Sequence, residues 1–162
     1  MNDVEAAIKT AIQTEKNAMN FYQIGAEQMK DPEAKRLFEQ LAKEEKEHAA
    51  QFYREYHGND IPSFDGFMAT PPEYASVWVG SIRKLIGDDF TEERALELAM
   101  ERESNLESTL RQTASKLTDD AVRAVFERNA DETRNHYLTI ESEYARIMKM
   151  VHESDIDIFV RE

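Results

Sequence analysis

The sequence predicts an all-α protein, a four-helix bundle made of two antiparallel helical hairpins joined by one long crossover. Three observations carry this expectation. The 162 residues contain only 5 Gly and 4 Pro, while Ala, Glu, Lys, Leu and Met, all good helix formers, are plentiful. Apolar residues recur with a helical period along nearly the whole chain. The breaks in that period are unequal, two short and one long. A chain of this length buries a sizeable core as one domain without covalent staples.

The first helix runs from about Asp3 to Met29, with Ile8, Ile12, Met19, Tyr22, Ala26 and Met29 on its apolar seam. Asp31-Pro32 follows, an N-cap with Pro at the first helical position. The second helix reaches about Tyr56, with Leu37, Phe38, Leu41 and Phe52 inward, and stops at His57-Gly58-Asn59-Asp60. Residues 57–90 hold Pro62, Pro71, Pro72, most of the Gly and the only Trp, Trp78; a short helix from about Pro72 to Leu85 is expected there. Thr91 caps the third long helix, which ends near Leu117, and Thr118 or Asp119 caps the fourth, which ends near Val151. Residues 1–152 thus form the bundle, and the tail 153–162, with its Asp155-Ile156-Asp157-Ile158 alternation, reads as extended. Short links within each pair make antiparallel hairpins, and the crossover is long enough to run the length of a bundle.

The net charge of −13 disfavours nucleic acid, whose phosphates it repels, and no basic patch invites an anionic membrane. The absence of Cys rules out disulfides, thiolate metal sites and thiol catalysis. The start, MNDVEAAIKT, lacks a basic segment and an apolar run, and no stretch approaches the roughly 18 apolar residues of a membrane span. A cytoplasmic location is therefore expected.

The two hairpins align without a gap at the separation of His48 from His136. Ala11 meets Ala99, Glu15 meets Glu103, Asn17 meets Asn105 and Asp31 meets Asp119. Phe38 meets Phe126, Glu44 meets Glu132, and Glu55-Tyr56 meets Glu143-Tyr144. Phe, His and Tyr matching in one register point to a duplication, hence to an approximately two-fold bundle.

Some residues break the apolar seams, and an unpaired buried charge costs several kcal/mol, on the order of 2–7 even for neutral polar groups. Glu15 lies between Ile12 and Met19, and Glu103 between Met100 and Leu106. Glu45 and His48 interrupt Leu41 and Phe52. His136 lies between Phe126 and Ile140, with Thr133 one turn before it. A lone inward Glu or His usually has a local partner. Four helices doing this at a similar depth converge carboxylates and imidazoles in a dry core. Two divalent cations would neutralise them, and the ligand types suit iron, manganese or zinc. A metal-free polar network is the alternative.

The segments AIQTEKNAMNFY, LAKEEKEHAAQFY, LAMERESN and NADETRNHY resemble the rubrerythrin branch of the ferritin-like superfamily, over nearly all of the chain except crossover and tail. The resemblance implies a ferritin-like bundle with one Glu from the first and third long helices and Glu-x-x-His from the second and fourth. It makes Glu15 and Glu103 terminal ligands, Glu45 a bridge between two metals, and His48 and His136 ligands to one each. The chain departs from the family pattern in three ways. Thr133-x-x-His136 replaces Glu-x-x-His, so one bridging carboxylate is missing, with Glu132 the nearest substitute although its mate Glu44 also suits a solvent-facing position. Leu106 stands where the family has a further Glu. The Cys-rich electron-transfer domain typical of rubrerythrins has no counterpart among these residues, so an external electron donor is implied.

The resulting expectation is a di-metal protein with two divalent ions, iron first and Zn or Mn as alternatives, and one site tighter than the other. An oxidoreductase of peroxidase or ferroxidase type, oxidising Fe(II) with dioxygen or peroxide, is one reading, with inward Tyr22 a donor near Glu15. A non-catalytic metal-binding or structural protein with a degenerate site is the other. A homodimer is expected through crossover residues such as Tyr74, Val77, Trp78 and Val79. His57 and His152, near helix ends, are expected to meet carbonyls there.

Overall fold

The structure, a computed structural model, describes the backbone of residues 2–160 and the side chains of residues 2–151. Among the described residues six helices follow one another: α1 (Asp3–Gln28), α2 (Pro32–Arg54), α3 (Phe64–Met68), α4 (Val77–Asp88), α5 (Glu92–Lys116) and α6 (Asp120–Val160). No strand occurs among the described residues. The four long helices form two antiparallel hairpins, α1–α2 and α5–α6, as the short links demand, and α4 packs across both α1 and α5. The all-α four-helix bundle with its long crossover is therefore the observed fold. No described helix is long and apolar enough to cross a membrane.

Local chemistry sets the helix ends. Asn2 Oδ1 accepts from the Glu5 amide at 2.8 Å. Asp31 accepts from Ala34 at 2.9 Å with Pro32 at the first position of α2. Thr91 accepts from Arg94 at 3.1 Å, and of Thr118 and Asp119 it is Asp119 that caps α6, accepting from Val122 at 3.1 Å. Each side chain satisfies an amide that the helix itself leaves without a partner.

Three boundaries differ from the sequence expectation. Helix α4 starts at Val77, five residues after Pro72, because Ser76 Oγ accepts from the Val79 amide and fixes the start there. The one-turn helix α3, capped by Ser63, is too short to show a period. Helix α6 continues to Val160, where an extended tail was expected. No Gly or Pro interrupts it after Val151, and extending an existing helix adds one hydrogen bond for each residue fixed. His152's side chain and residues 161–162 lie outside the described residues. His57 uses its backbone amide, which donates to Glu5 Oε2 at 2.9 Å.

Above the polar centre, Phe21, Tyr22, Phe38 and Trp78 pack edge to face, with Tyr22 and Phe38 centroids 4.9 Å apart and Phe21 and Trp78 5.2 Å apart. Gly25 makes room for this: a Cβ there would lie 2.7 Å from the Phe38 ring. Trp78 and Val79 are thus spent in packing within the chain, while Tyr74 and Val77 stay exposed. Lys16 clamps the crossover to α1. Its buried Nζ donates to Asn20 Oδ1 at 2.9 Å and to the Pro71 carbonyl at 3.1 Å.

Candidate metal centre

Helical spacing puts Glu45 and His48 on one face of α2, one turn apart. The antiparallel pairing then brings Glu15 of α1 beside them, and Glu103 of α5 and His136 of α6 close the other side. Glu15, Glu45 and Glu103 are completely buried, His48 is 3% exposed and His136 5%. The imidazoles lie parallel across the approximate two-fold axis, with ring centroids 5.1 Å apart and 11° between their planes.

Both imidazoles turn Nδ1 inward. His48 Nδ1 is 3.7 Å from Glu15 Oε2 and 3.8 Å from Glu45 Oε2. His136 Nδ1 is 2.8 Å from Glu45 Oε1 and 3.6 Å from Glu103 Oε1. Glu45 therefore shows one oxygen to each imidazole. The outward nitrogens meet carboxylates related by the repeat: Glu132 Oε2 at 2.6 Å from His48 Nε2, and Glu44 Oε1 at 3.4 Å from His136 Nε2. These outer carboxylates line an acidic cleft of about 330 Å³ together with Glu47. A second cleft, of about 320 Å³, runs between α1 and α5 and reaches Glu15.

Close approach inside the cluster does not produce hydrogen bonds. Both oxygens of Glu15 and of Glu45, Glu103 Oε2, and Nδ1 of both His48 and His136 have no hydrogen-bond partner. Buried polar atoms are almost always paired. Here several acceptors face one another, and ligands about 2.1 Å from one tetrahedral ion lie about 3.4 Å apart, within the span of the inner separations, 2.8 to 3.8 Å. One donor atom from each of Glu45, His48 and His136 falls within 4.8 Å of the other two. The donors are oxygen and imidazole nitrogen only, a set that fits iron, manganese or zinc.

The electrostatics say the same. Burial, with the charges of Glu15 and Glu103 beside it, pushes Glu45 well above the usual carboxylate range. Burial also lifts Glu15, but its nearness to Glu45 and to the two imidazoles outweighs this and holds it below its ordinary value. Burial disfavours the imidazolium of His48, yet Glu15 and Glu45 lift it to about 9. His136 is raised likewise, against burial, by Glu103, Glu44 and Glu15. Three carboxylates buried together demand positive charge.

Residues 6–144 match the family model for rubrerythrin. The chain belongs to the rubrerythrin family. No curated protein and no solved structure gives a match. Family membership and the buried Glu/His cluster together give a rubrerythrin-type domain with a centre compatible with metal binding.

One expectation within this rubrerythrin-type centre changes and one is sharpened. Glu132 does not reach the inner donors. It sits four residues before His136 and therefore on the flank of α6, where it is partly exposed and meets the outward nitrogen of His48. It faces the outer side of one imidazole, as Glu44 faces the other, and is not among the inner donors that lie closest together. Tyr22 is buried and inward, but it donates to Glu103 Oε1 at 2.6 Å, across the bundle, and not to its helical neighbour Glu15. Burial and Glu103 raise the Tyr22 phenol well above its ordinary value, so it stays a donor. Sequence reasoning missed Asn129, completely buried on α6. Its mate in the repeat is Leu41, and that polar-for-apolar exchange was the available signal.

Proposed function

We propose that this chain holds two divalent cations, iron first, between Glu15, Glu45, His48, Glu103 and His136, and uses them to oxidise Fe(II) with peroxide or dioxygen. Seven buried donor atoms from four helices converge without hydrogen bonds, and that convergence is what supports a metal pair. Glu45 would serve both metals, a reading supported by its two oxygens facing different imidazoles. Glu132 and Glu44 lie beside the outward imidazole nitrogens, at 2.6 and 3.4 Å, a carboxylate–imidazole pairing that metal-binding histidines use generally. Tyr22 keeps its proton and steadies Glu103.

Iron held by Glu15, Glu45, His48, Glu103 and His136 would supply the electron-transfer chemistry toward the oxidant, and an external donor would be needed to return the electrons. The surrounding apolar helices exclude bulk water, and the cleft between α1 and α5 leads to Glu15, a path for a small neutral oxidant. Anaerobic loading with Fe(II) followed by peroxide or air tests this reading. The expected result is a rise in absorbance from oxidised iron at up to two equivalents per chain. Tight zinc binding with no spectral change on adding oxidant to the iron form would defeat it.

A non-catalytic metal-binding role is the second reading, favoured by Thr133 in place of a fourth inner carboxylate. The same experiment separates the two. We also propose a homodimer, supported by Tyr74 and Val77, which are 51% and 65% exposed on the crossover. Light scattering at the mass of a single chain would rule it out.

A further inference from the structure

The repeat leaves one inner position without a carboxylate. Thr133 stands on α6 where its mate on α2 is Glu45, and one turn earlier Asn129 stands where its mate is Leu41. Both are completely buried, and Thr133 Oγ1 and Asn129 Oδ1 have no hydrogen-bond partner. A threonine inside a helix can return its hydroxyl to the carbonyl four residues back. Thr14 does so to Thr10 at 2.8 Å and Thr139 to Asn135 at 3.0 Å. Thr133 does not, although its helix would allow it. Its hydroxyl is left unpartnered one turn before His136, at the position whose mate in the repeat is Glu45.

The charge count points the same way. Two divalent cations carry four positive charges, and Glu15, Glu45 and Glu103 return three, with both imidazoles neutral as ligands. Glu44 and Glu132 lie outside, with side chains 41% and 39% exposed, where water screens them. One positive charge would be left in a fully buried site, and uncompensated buried charge is costly.

We propose that a small planar oxyanion of the carboxylate type, such as formate, acetate or bicarbonate, binds beside Thr133 in place of the missing glutamate and completes the second metal site. The inference rests on the di-metal reading above. The anion supplies the missing negative charge and accepts a hydrogen bond from Thr133 Oγ1. Wild-type anions come and go where a glutamate is fixed, so occupancy of the second metal site depends on the medium.

Calorimetric titration with Mn(II) or Zn(II), in carbonate-free buffer containing chloride as the only small anion, tests this. One tight equivalent per chain is expected. Adding formate, acetate or bicarbonate, in separate arms, should tighten the second equivalent by about tenfold or more. Thr133→Glu should bind two equivalents in chloride alone and ignore the added anion. Thr133→Val keeps the shape without the hydroxyl and should lose most of the anion effect, which decides the matter should the glutamate variant not fold. Isotope-labelled formate should show a shifted carboxylate stretch only in the metal-loaded protein. A second equivalent that is equally tight in chloride alone, or weak in every anion, overturns the inference. If Thr133→Glu still binds two metals, the metal pair itself survives that result. Failure of wild type and folded Thr133→Glu alike to bind a second metal removes the pair as well.

Discussion

The α1–α2 hairpin brings Glu15, Glu45 and His48 to the centre, whereas the α5–α6 hairpin brings Glu103 and His136 with Thr133 where its mate has Glu45. Outside the inner cluster the halves still match: Asp31 and Asp119 cap corresponding helices, and Glu44 and Glu132 each hold the imidazole of the other hairpin. The two halves therefore share their packing, their caps and their outer carboxylate–imidazole pairs and differ at one inner carboxylate. Packing and caps are distributed over many residues. A ligand is a single side chain, so the inner set can become unequal without disturbing the bundle around it.

The largest effect is expected at Glu45, whose two oxygens face different imidazoles. Losing an outer-shell partner typically costs 10–100-fold in metal affinity, so Glu45→Gln should weaken both equivalents by more than about 100-fold in a Mn(II) titration. An effect on one equivalent alone would mean that Glu45 is not shared. His48→Ala and His136→Ala sharpen the inequality. The first should abolish the tight equivalent and the second only the weak one, and equal losses would restore a symmetric pair. Glu44→Gln and Glu132→Gln probe the part that stayed equal. Each should weaken binding by about tenfold, and a much larger loss for Glu132 would make it a ligand after all.

Smaller effects appear in the metal-free protein. An unpartnered buried hydroxyl costs about 1–3 kcal/mol, so Thr133→Val should stabilise by about 1 kcal/mol in urea denaturation, while Thr14→Val, whose hydroxyl is already bonded, should not. The smallest difference separates the two caps. Asp31→Ala and Asp119→Ala should each cost about 1 kcal/mol at neutral pH, with Asp31 slightly dearer because Arg146 of α6 also pairs with it. Its bond from the Ala34 amide, ahead of Arg146, holds Asp31 below its ordinary 3.8. That contribution is complete above pH 3.8 and fades as the pH falls through the lower folded value, so wild type and Asp31→Ala should converge in acid.

Most of the bundle could be read directly from the chain because its causes are local. Helical period, the Asp31-Pro32 start, the Thr91 cap and the length of the crossover each act within a few residues. The short α3 and the late start of α4 were harder, since a single turn carries no period and the choice between Pro72 and Ser76 as a start depends on which amide is left without a partner. Glu15, Glu45, His48, Glu103 and His136 stood out because each interrupts an apolar seam. Glu132 could be placed on either face from sequence alone, because its neighbour Thr133 takes the inner position and a one-residue step on a helix turns a side chain through about 100°.

By itself the sequence determined the two repeated hairpins, the depth at which carboxylates and imidazoles face inward, and the unequal pair at Glu45 and Thr133. Only the tertiary structure decided which atom meets which: that Tyr22 donates to Glu103 across the bundle, that Glu44 and Glu132 exchange partners between hairpins, and that Lys16 ties down the crossover at Pro71. The reason is one of range. Periodicity fixes the face of a helix on which a residue lies. The partner that face meets depends on how separate helices dock, and residues 81 or 84 positions apart become neighbours only then.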